Sequence, residues 1–347
     1  MAKSPLVWAL LAAFLFGAAT PVSKSLLHYL PPFQLAGWLY LGAAVGALPL
    51  LVRRGSFRLP WAFDRQTRLN LLWAIGLGGI LGPVLLLLGL KLASAASVSL
   101  WLNLELIATI TLGYFFFRDP LTPYGWIASG AMLTAAALLS VAEGPAGLQA
   151  GLLVALACLC WGVDNHLTAM IHELSPAEVT FWKGSVAGIT NLVIGGISET
   201  FGGPVRAIGL AVLVGSLSYG VSVLLYVFSA RRLGAVRSQI IFSSSPFFGV
   251  LLAAAVLGER IAVAQMTAIA IILVSLLFLF LEQHLHAHHH EEAAHEHWHV
   301  HDEGHHEHVF PGIHHGFHHT HFHEHEATTH VHPHWPDLDH RHGHGGA

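Results

Sequence analysis

The sequence predicts an all-α membrane protein with ten transmembrane helices, arranged as two inverted five-helix repeats and followed by a disordered His-rich tail. Composition is the first observation behind this prediction. Of 347 residues, 54% are hydrophobic and 10% are charged, and the mean hydropathy is +0.59, which is outside the usual range of soluble domains. A series of long apolar runs and an internal repeat are the second and third observations.

Ten apolar runs of about 20 residues are long enough to cross a bilayer as helices. Short loops containing Gly, Pro or Arg separate them. The first run follows Lys3 and is expected to be a retained span, not a signal peptide, because Lys24 lies near its far end. The runs cover residues 6–27, 33–52, 69–91, 94–117, 121–142, 148–171, 177–198, 207–230, 234–257 and 262–282.

Basic residues in the short loops predict which way the helices cross. The loop after the second run contains Arg53, Arg54, Arg58, Arg65 and Arg68. Loops on that side of the predicted topology hold nine Lys and Arg residues in total, and the other side holds two or three. Both termini are therefore predicted to be cytoplasmic.

The internal repeat has a spacing of 140 residues. The stretch from Ser94, SAASVSLWLNLELIATITLGYFFFRDPL, aligns without gaps with the stretch from Gly234, GAVRSQIIFSSSPFFGVLLAAAVLGERI. Each has an acidic residue near its end, Asp119 or Glu259. Five spans per half is an odd number, so the second half would enter the membrane from the opposite side. The alternative is chance similarity between helices rich in Leu, Ala and Gly.

These features together resemble the drug/metabolite transporter superfamily, and within it the EamA family. The motifs that carry the resemblance are the five-plus-five plan, Phe16–Gly17 and Trp161–Gly162 early in the two halves, and the FRDPL and LGERI ends of the fourth and ninth runs. The sixth run, CLCWGVDNHLT, is similar to a bacterial subgroup with a W-G-x-D-N-x-x-T run and a His-rich tail. The resemblance implies ten helices, a multi-pass protein of the bacterial inner membrane, and export or exchange of small metabolites.

The resemblance covers residues 6–282 and divides the chain into three parts. Residues 1–143 and 147–283 would be the two EamA-like repeats, and residues 284–347 the cytoplasmic tail. One position departs from the family pattern. Tyr40 stands in the second run where many relatives carry an Arg, so an anion-binding role of that Arg cannot be transferred to this chain. Tyr40 is retained as a candidate residue of the substrate pathway.

Within the sixth run, the stretch Leu152–Ile171 places a carboxylate deep in an apolar helix. A charged group near a helix centre costs about 2.5 to 3.5 kcal/mol on insertion scales, so Asp164 is expected to face a protein interior or a watery cavity. Helical spacing puts Trp161, Asn165 and Thr168 on the same face. The alternative is a hydrogen-bonded seam between helices with no role in transport.

The fourth run carries Trp101 and Glu105 four residues apart, which predicts that the two side chains share a helix face. Glu105 is the main candidate for a proton carrier, because a carboxyl group buried there could exchange a proton near neutral pH as access alternates. The alternative is a neutral acid in a hydrogen bond between helices.

Three further residues complete the predicted pathway. Lys183 lies several residues into the seventh run and is expected to pair with Asp164 or Glu105, with a side chain snorkelling to the interface as the alternative. Lys24 lies toward the outer end of the first run, where snorkelling and a cavity role are equally open. Ser244 lies in an SSSP segment of the ninth run, where a proline could free a backbone carbonyl for a site or simply kink the helix.

The composition changes completely after residue 283. Residues 284–347 contain 25 of the 28 His, ten acidic residues and one basic residue, with almost no apolar pattern, which predicts disorder. Clustered imidazoles suit Zn, Ni or Cu, bound with interchangeable ligands. An H-E-x-x-H match at His295–His299 is interpreted as chance, because the protease motif needs a rigid helix and a third ligand. The candidate ligands are His288, His289, His290, His295, His297, His299, His305 and His306.

The sequence therefore predicts a secondary active transporter and not an enzyme, because no nucleophile–base pair or fixed metal motif is present. The expected cargo is a small metabolite such as an amino acid, with proton coupling through Glu105 or Asp164. The alternatives are a divalent metal (Zn, Ni or Co) transporter, a metal-sensing membrane protein that uses the tail, and a metal-buffering protein whose repeat no longer transports. Expected partners are the bilayer, the substrate, protons, divalent metal ions and a second copy of the chain in a homodimer, without nucleic acid or a required cofactor.

Overall fold

A computed structural model describes most of the chain. The described residues are 5–54, 58–59, 62–117, 121–171, 173–233, 235–280, 284–290, 293–300, 318–325 and 328–334. The chain forms two compact units, Met1–Glu282 and Gln283–Ala347. The candidate residues Asp119, His305 and His306 lie outside the described residues.

Over its described residues, the first unit consists of α-helices interrupted by three π-helical segments. The first half contains α1 Pro5–Gly17, α2 Ala19–Leu26, α3 Pro32–Arg54, α4 Arg65–Ala74, π1 Ile75–Leu81, α5 Gly82–Leu92, α6 Ala95–Trp101, α7 Leu104–Leu112, π2 Gly113–Phe117 and α8 Pro123–Ala142. The second half contains α9 Gly144–Ala169, α10 Pro176–Ser198, α11 Val205–Val214, π3 Gly215–Val221, α12 Ser222–Leu233, α13 Ala235–Phe242, α14 Ser245–Leu257 and α15 Val263–Phe280.

Seven helical stretches, counted over the described residues, are long and apolar enough to cross a membrane. They coincide with the first six predicted runs and with the eighth. The ninth and tenth runs contain the shorter apolar helices α14 and α15, and α10 forms most of the seventh run without being among the seven. Glu178, Lys183 and Asn191 make α10 more polar than its neighbours. The predicted count of ten spans is thus met only in part.

The apolar stretches contain interruptions at which polar contacts collect. The stretch of α6 and α7 is broken at Leu102–Asn103, and the stretch of α13 and α14 at Ser243–Ser244. The segments π1 and π3 interrupt the third and eighth runs. Such interruptions leave backbone carbonyls without their usual α-helical partners, so these groups are available to side chains.

The interruptions recur at the spacing of the sequence repeat. The helices α4 and α11 begin at residues 65 and 205, π1 and π3 at 75 and 215, and α8 and α15 at 123 and 263, so each pair is 140 residues apart. Equivalent local breaks therefore occupy equivalent positions of the two halves.

Two helix pairs join the halves in different ways. The helices α3 and α10 pack along their length, because glycines on both bring the backbones close: Gly37 lies against Leu192, Gly184 against the backbone of Tyr40. We call this contact the continuous seam. The helix α6 packs against α14, with Gly249 beside Ser99, whereas no comparable packing joins α7 to α13 within the described part of these stretches. We call the α6–α14 contact the one-ended seam.

The tail contains four strands, β1 His284–His290, β2 Ala293–Val300, β3 His318–His325 and β4 Thr328–His334. The pairs β1–β4 and β2–β3 are antiparallel. The prediction of a wholly disordered tail is therefore corrected for these residues. That prediction weighed only side-chain burial, whereas paired strands satisfy each other's backbone groups, and a His-x-His pattern has the period of two that a strand requires.

Candidate functional site

An ion pair lies inside the helical bundle, between α9 and α10. Lys183 of α10 contacts a carboxylate oxygen of Asp164, and this is the ion pair that the described residues contain. Asp164 is 4% exposed, and its other oxygen accepts a hydrogen bond from the Thr168 hydroxyl at 3.2 Å. Each partner offsets the cost of burying the other's charge. Of the two partners that the sequence allowed for Lys183, the structure selects Asp164.

Gly78 of π1 lies directly beside this carboxylate, so closely that a Cβ there would collide with Asp164. Its carbonyl accepts hydrogen bonds from the Tyr40 hydroxyl at 2.5 Å and from Trp161 Nε1 at 2.9 Å. The π-helical partner of this carbonyl would be residue 83, which is Pro83 and has no N–H to donate. One backbone oxygen therefore orients two aromatic side chains, from α3 and α9.

The aromatic wall of the site continues into the second half. The Tyr40 ring lies 6.0 Å from the ring of Tyr219 in π3, and Tyr219 lies 5.8 Å from Phe16 in α1. All three rings are half-buried. The two π-helical segments thus face a common region, which is lined by rings from α1, α3 and π3.

Glu105 is a second carboxylate of the site, without a cation bonded to it. It lies in the first turn of α7, immediately after the break at Leu102–Asn103, and is half-buried. Its Oε1 atom accepts a hydrogen bond from Asn165 Nδ2 at 3.0 Å, and Asn165 also donates to Thr109 Oγ1 at 3.1 Å. Glu105 lies within electrostatic range of Asp164 and Lys183. Within the described residues it forms no ion pair of its own.

The arrangement combines three chemical properties. The Asp164–Lys183 pair is neutral overall, Glu105 supplies an acidic group that a solute or a proton could neutralise, and the rings supply an apolar wall. Such a site can bind a small organic solute that carries a positive group. Within the described side chains, no group of three His, Cys, Asp or Glu residues is close enough to hold a metal ion.

Comparison with known families gives two matches within this chain. The model of the EamA-like transporter family matches residues 3–141 and, separately, residues 148–281. The chain belongs to the EamA-like transporter family. The resemblance inferred from the motifs is confirmed, and with it the prediction of a multi-pass membrane transporter.

Two individual proteins are also similar to this chain. An uncharacterized transporter of Methanothermobacter thermautotrophicus is 25% identical over 277 residues, which cover 73% of this chain and 79% of that protein. A protein of known crystal structure aligns with a TM-score of 0.55 at 17% identity, over 80% of this chain and 97% of that one. At this identity the second likeness is one of fold alone.

Trp101 is a predicted site residue that the structure does not bring into the site. It is fully buried in the core of the helical unit, and its Nε1 atom donates to the Ala136 carbonyl at 3.1 Å. Trp101 and Glu105 do not line one site: Trp101 lies in the core, whereas Glu105 contacts Asn165 of α9, and a tighter turn at residues 102–103 interrupts the regular α-helical spacing between them.

Lys24 also lies away from the site. Its ammonium group donates to the carbonyls of Leu90 and Ala93 at 2.6 and 2.8 Å, at the C-terminal end of α5. A cation at this position satisfies free carbonyls and the negative end of the helix dipole. Lys24 therefore caps α5 and does not contact the residues of the site.

Ser244 and His166 make local contacts. The Ser244 hydroxyl donates to the Ile241 carbonyl at 2.6 Å, within the break between α13 and α14. His166 is buried, with its Nε2 atom 2.9 Å from the Thr109 carbonyl. The structure thus interrupts the helix at the SSSP segment, and the Ser244 hydroxyl bonds the Ile241 carbonyl and not that of Phe242, the carbonyl that Pro246 leaves without its α-helical donor.

Sequence reasoning missed three residues of the site, Gly78, Tyr219 and Asn191. Asn191 is fully buried, and its Nδ2 atom donates to the Gly79 carbonyl at 3.2 Å, while its Oδ1 atom has no partner among the described groups. The sequence contains weak signals for Gly78 and Asn191. A Gly pair followed by a proline inside an apolar run marks a broken helix, and an Asn in such a run marks a polar contact.

The described candidate metal ligands of the tail lie in two strands. His288, His289 and His290 lie in β1, and His295, His297 and His299 lie in β2. The H-E-x-x-H match lies on β2 and not on a helix.

Proposed function

We propose that this EamA-like chain is a secondary active transporter of the bacterial inner membrane, which exports or exchanges small organic metabolites such as amino acids and couples their movement to protons. The observation that carries the proposal is Glu105, a half-buried carboxylate that forms no ion pair with any described residue, beside the neutralised Asp164–Lys183 pair. A carboxylate in such surroundings favours a positive partner.

The coupling follows from the charge of Glu105. This carboxylate can be neutralised by a proton or by the ammonium group of a solute, but not by both at once. If the site opens alternately to the two sides, a solute leaves when a proton takes its place, and the proton leaves when a solute binds. Protons and solute are thereby exchanged across the membrane.

Inverted repeats are a common basis of alternating access, and we propose that the two halves are inverted repeats with cytoplasmic termini. The family model matches each half once, and the interruptions recur 140 residues apart. Broken helices near the site are typical of inverted-repeat transporters. The basic loops favour the cytoplasmic orientation of both ends.

The test is a transport assay with the full-length protein in proteoliposomes, using labelled amino acids and other small amines, and Zn, Ni and Co ions in parallel. We expect uptake of one or more organic solutes that is driven by a pH gradient. Glu105→Gln keeps the shape of the side chain but cannot ionise, so gradient-driven uptake should be lost.

Glu173→Gln is the matched control, because Glu173 is exposed and lies outside the site. It should transport as the unchanged protein does. Gradient-driven uptake that survives Glu105→Gln would contradict the coupling role, and metal uptake without any organic solute uptake would favour the metal-transport alternative.

A second function, metal binding by the tail as a sensor or buffer, is favoured by the register of its strands. Residues directly opposite in an antiparallel pair have Cβ atoms about 4.5–5.5 Å apart, so opposed His residues are close enough to share one ion. The His–His partners are 284 with 334, 286 with 332, 288 with 330, 295 with 323, 297 with 321 and 299 with 319.

The role of the strand register in metal binding can be tested without changing the amino-acid composition. Exchanging two neighbours, His297→Trp with Trp298→His, keeps the number of His residues but moves one imidazole to the other face of β2. If the opposed faces hold the metal, zinc affinity of the full-length protein falls by about tenfold or more, as even outer-shell changes cause. If the ligands are interchangeable, the affinity stays the same. A chain that ends at Gln283 gives the baseline without the tail.

A further inference from the structure

Glu259, in the second half, is bonded to the first turn of α6 in the first half. Its Oε1 atom accepts a hydrogen bond from the Ala95 N–H at 2.8 Å, and its Oε2 atom from the Ala96 N–H at 2.9 Å. These N–H groups belong to the start of a helix, where no intrahelical acceptor exists. A carboxylate there also meets the positive end of the helix dipole.

The turn that brings Glu259 to α6 depends on Gly258. The helix α14 ends at this glycine, whose φ of +67° is in the left-handed region, and the Glu259 N–H then donates to the Ala253 carbonyl at 3.3 Å. Glycine adopts this conformation at little cost. The chain reverses at once, so the Glu259 carboxylate lies beside the end of α14 and over the start of α6.

Gln265 supports the same contact from α15. Its Nε2 atom donates to the hydroxyls of Ser94 and Ser97 at 3.2 and 3.1 Å. Both hydroxyls donate in turn to the Glu143 carboxylate, the Ser97 bond being 2.6 Å long. The start of α6 is therefore held to the second half by several polar contacts, which can break and reform with little loss of apolar burial.

These contacts lie at the packed end of the one-ended seam. Below Glu259, a Cβ on Gly249 would lie 2.5 Å from Ser99 Oγ, and Gly17 of α1 fits against the backbone at Ser245. Beyond the breaks at residues 102–103 and 243–244, the described parts of α7 and α13 are not packed together in this way. The two stretches are thus closed at the Glu259 end only.

We propose that Glu259 is the latch of a gate at this end of the bundle. While its carboxylate holds the start of α6, the one-ended seam stays closed and the site at Glu105 is shut off from that side. When the two hydrogen bonds break, α6 separates from α14 and opens a path to the site. This gate serves the transport function proposed above, and with the predicted topology it faces the outside of the cell.

The first test measures access to Ser99, which is 1% exposed inside the closed seam. Ser99→Cys is introduced into full-length protein in which Cys158 and Cys160 are replaced by Ala, and a membrane-impermeant maleimide is added from the Glu259 side of oriented proteoliposomes. Glu259→Gln replaces one acceptor oxygen by an amide that cannot accept. We expect it to raise the labelling rate about fivefold or more, the change in population that the loss of charge-assisted hydrogen bonds brings.

Glu199→Gln is the matched control. The Glu199 carboxylate also accepts two backbone hydrogen bonds at a helix start, from Phe33 and Gln34 at 3.2 and 3.3 Å, but it joins helices of the continuous seam. It should leave the labelling of Ser99→Cys unchanged, and Glu259→Asp should restore part of the protection. Equal labelling in the presence and absence of the Glu259 carboxylate would overturn the latch.

The second test locks the seam and does not depend on the folding of a Glu259 variant. In Ser99→Cys/Gly249→Cys, the two Cβ positions lie 2.9 Å apart, so a small outward shift of one helix allows a disulfide. Oxidation should stop transport, and reduction should restore it. Transport at the full rate with the disulfide formed would overturn the gate. The labelling test needs no transported solute. Its result therefore tests the latch even if the proposed transport function fails.

Discussion

The helical stretches that form the continuous seam and the one-ended seam contribute residues to opposite sides of the same site. Tyr40 and Lys183 belong to α3 and α10, which pack along their length, whereas Glu105 belongs to α7, which packs against α9 but has no comparable packing against α13 within the described residues. Separating α3 from α10 would expose closely fitted backbone over many turns. Separating α6 from α14 would break a few polar contacts and one region of small residues. The site therefore lies between a seam that is packed along its whole length and a seam that is packed at one end.

The difference in packing between the two seams shows which residues of the site lie on closely packed helices and which lie beside an interruption. Lys183 and Tyr40 are on the helices of the continuous seam, while Asp164 on α9 and Tyr219 on π3 complete the ion pair and the aromatic wall. The carboxylate that would exchange partners lies next to a helix break, where the chain can change direction without unfolding. Four substitutions test this division, and they are taken from the largest expected effect to the smallest.

Lys183→Met removes the cation of the buried ion pair and should have the largest effect on stability. It leaves the Asp164 carboxylate buried without its cation, and breaking a buried pair in this way costs about 3 to 5 kcal/mol. Thermal unfolding in detergent should show the loss. The double variant Asp164→Asn/Lys183→Met removes both charges and should recover much of the stability. A double variant as unstable as the single one would mean that packing, and not the unpaired charge, causes the loss.

Gly184→Leu opens the continuous seam. A Cβ at this position would lie 2.6 Å from the Tyr40 carbonyl and 2.8 Å from the Ala44 backbone nitrogen, so the helices must move apart, at about 3 kcal/mol. We expect a low yield of folded protein in size-exclusion chromatography. Gly130→Leu is the control, because open space surrounds that position and the change should be tolerated.

Gly249→Leu makes the corresponding change in the one-ended seam. Its cost in stability should be smaller, about 1 to 2 kcal/mol, because the neighbouring stretches can separate at one end without losing the rest of the fold. Transport should nevertheless fail, since the gate can no longer close. If Gly249→Leu and Gly184→Leu reduced the melting temperature equally, the two seams would not differ in the way described here.

Asn165→Ala should have the smallest effect on stability. Asn165 is exposed and donates to Glu105 and Thr109, so its removal costs about 1 kcal/mol or less. Its effect should appear in transport, as a shift in the pH dependence of uptake, because a donor to the Glu105 carboxylate is lost. An unchanged pH profile would show that Asn165 does not influence proton binding at Glu105.

Sequence reasoning located the polar positions of the site better than it located their partners. Asp164, Glu105, Asn165, Thr168 and Lys183 were all predicted, because a polar residue inside an apolar run stands out wherever it occurs. Trp101 was misplaced for a definite reason. Face-sharing at a spacing of four assumes a regular α-helix, and nothing in the identity of Leu102 and Asn103 indicates the tighter turn that the structure has there.

The contacts of Glu259 also could not be predicted from the sequence. The repeat identified it as the counterpart of Asp119, but its bonds to Ala95 and Ala96 connect residues more than 160 positions apart. No local pattern reports such a contact, since small residues at a helix start look alike whether or not a carboxylate covers them. Gly78 was missed for a related reason, because its importance comes from a carbonyl oxygen and not from a side chain.

The sequence by itself determined the membrane class, the family, the two related halves and the set of buried polar residues, because hydropathy, repeat spacing and motif order are properties of the linear chain. Only the tertiary structure decided that Asp164 pairs with Lys183, that Lys24 caps α5, that Trp101 turns into the core, and that the halves are joined by one continuous and one one-ended seam. These outcomes depend on which helices become neighbours and where they break, and both are set by packing across the whole bundle.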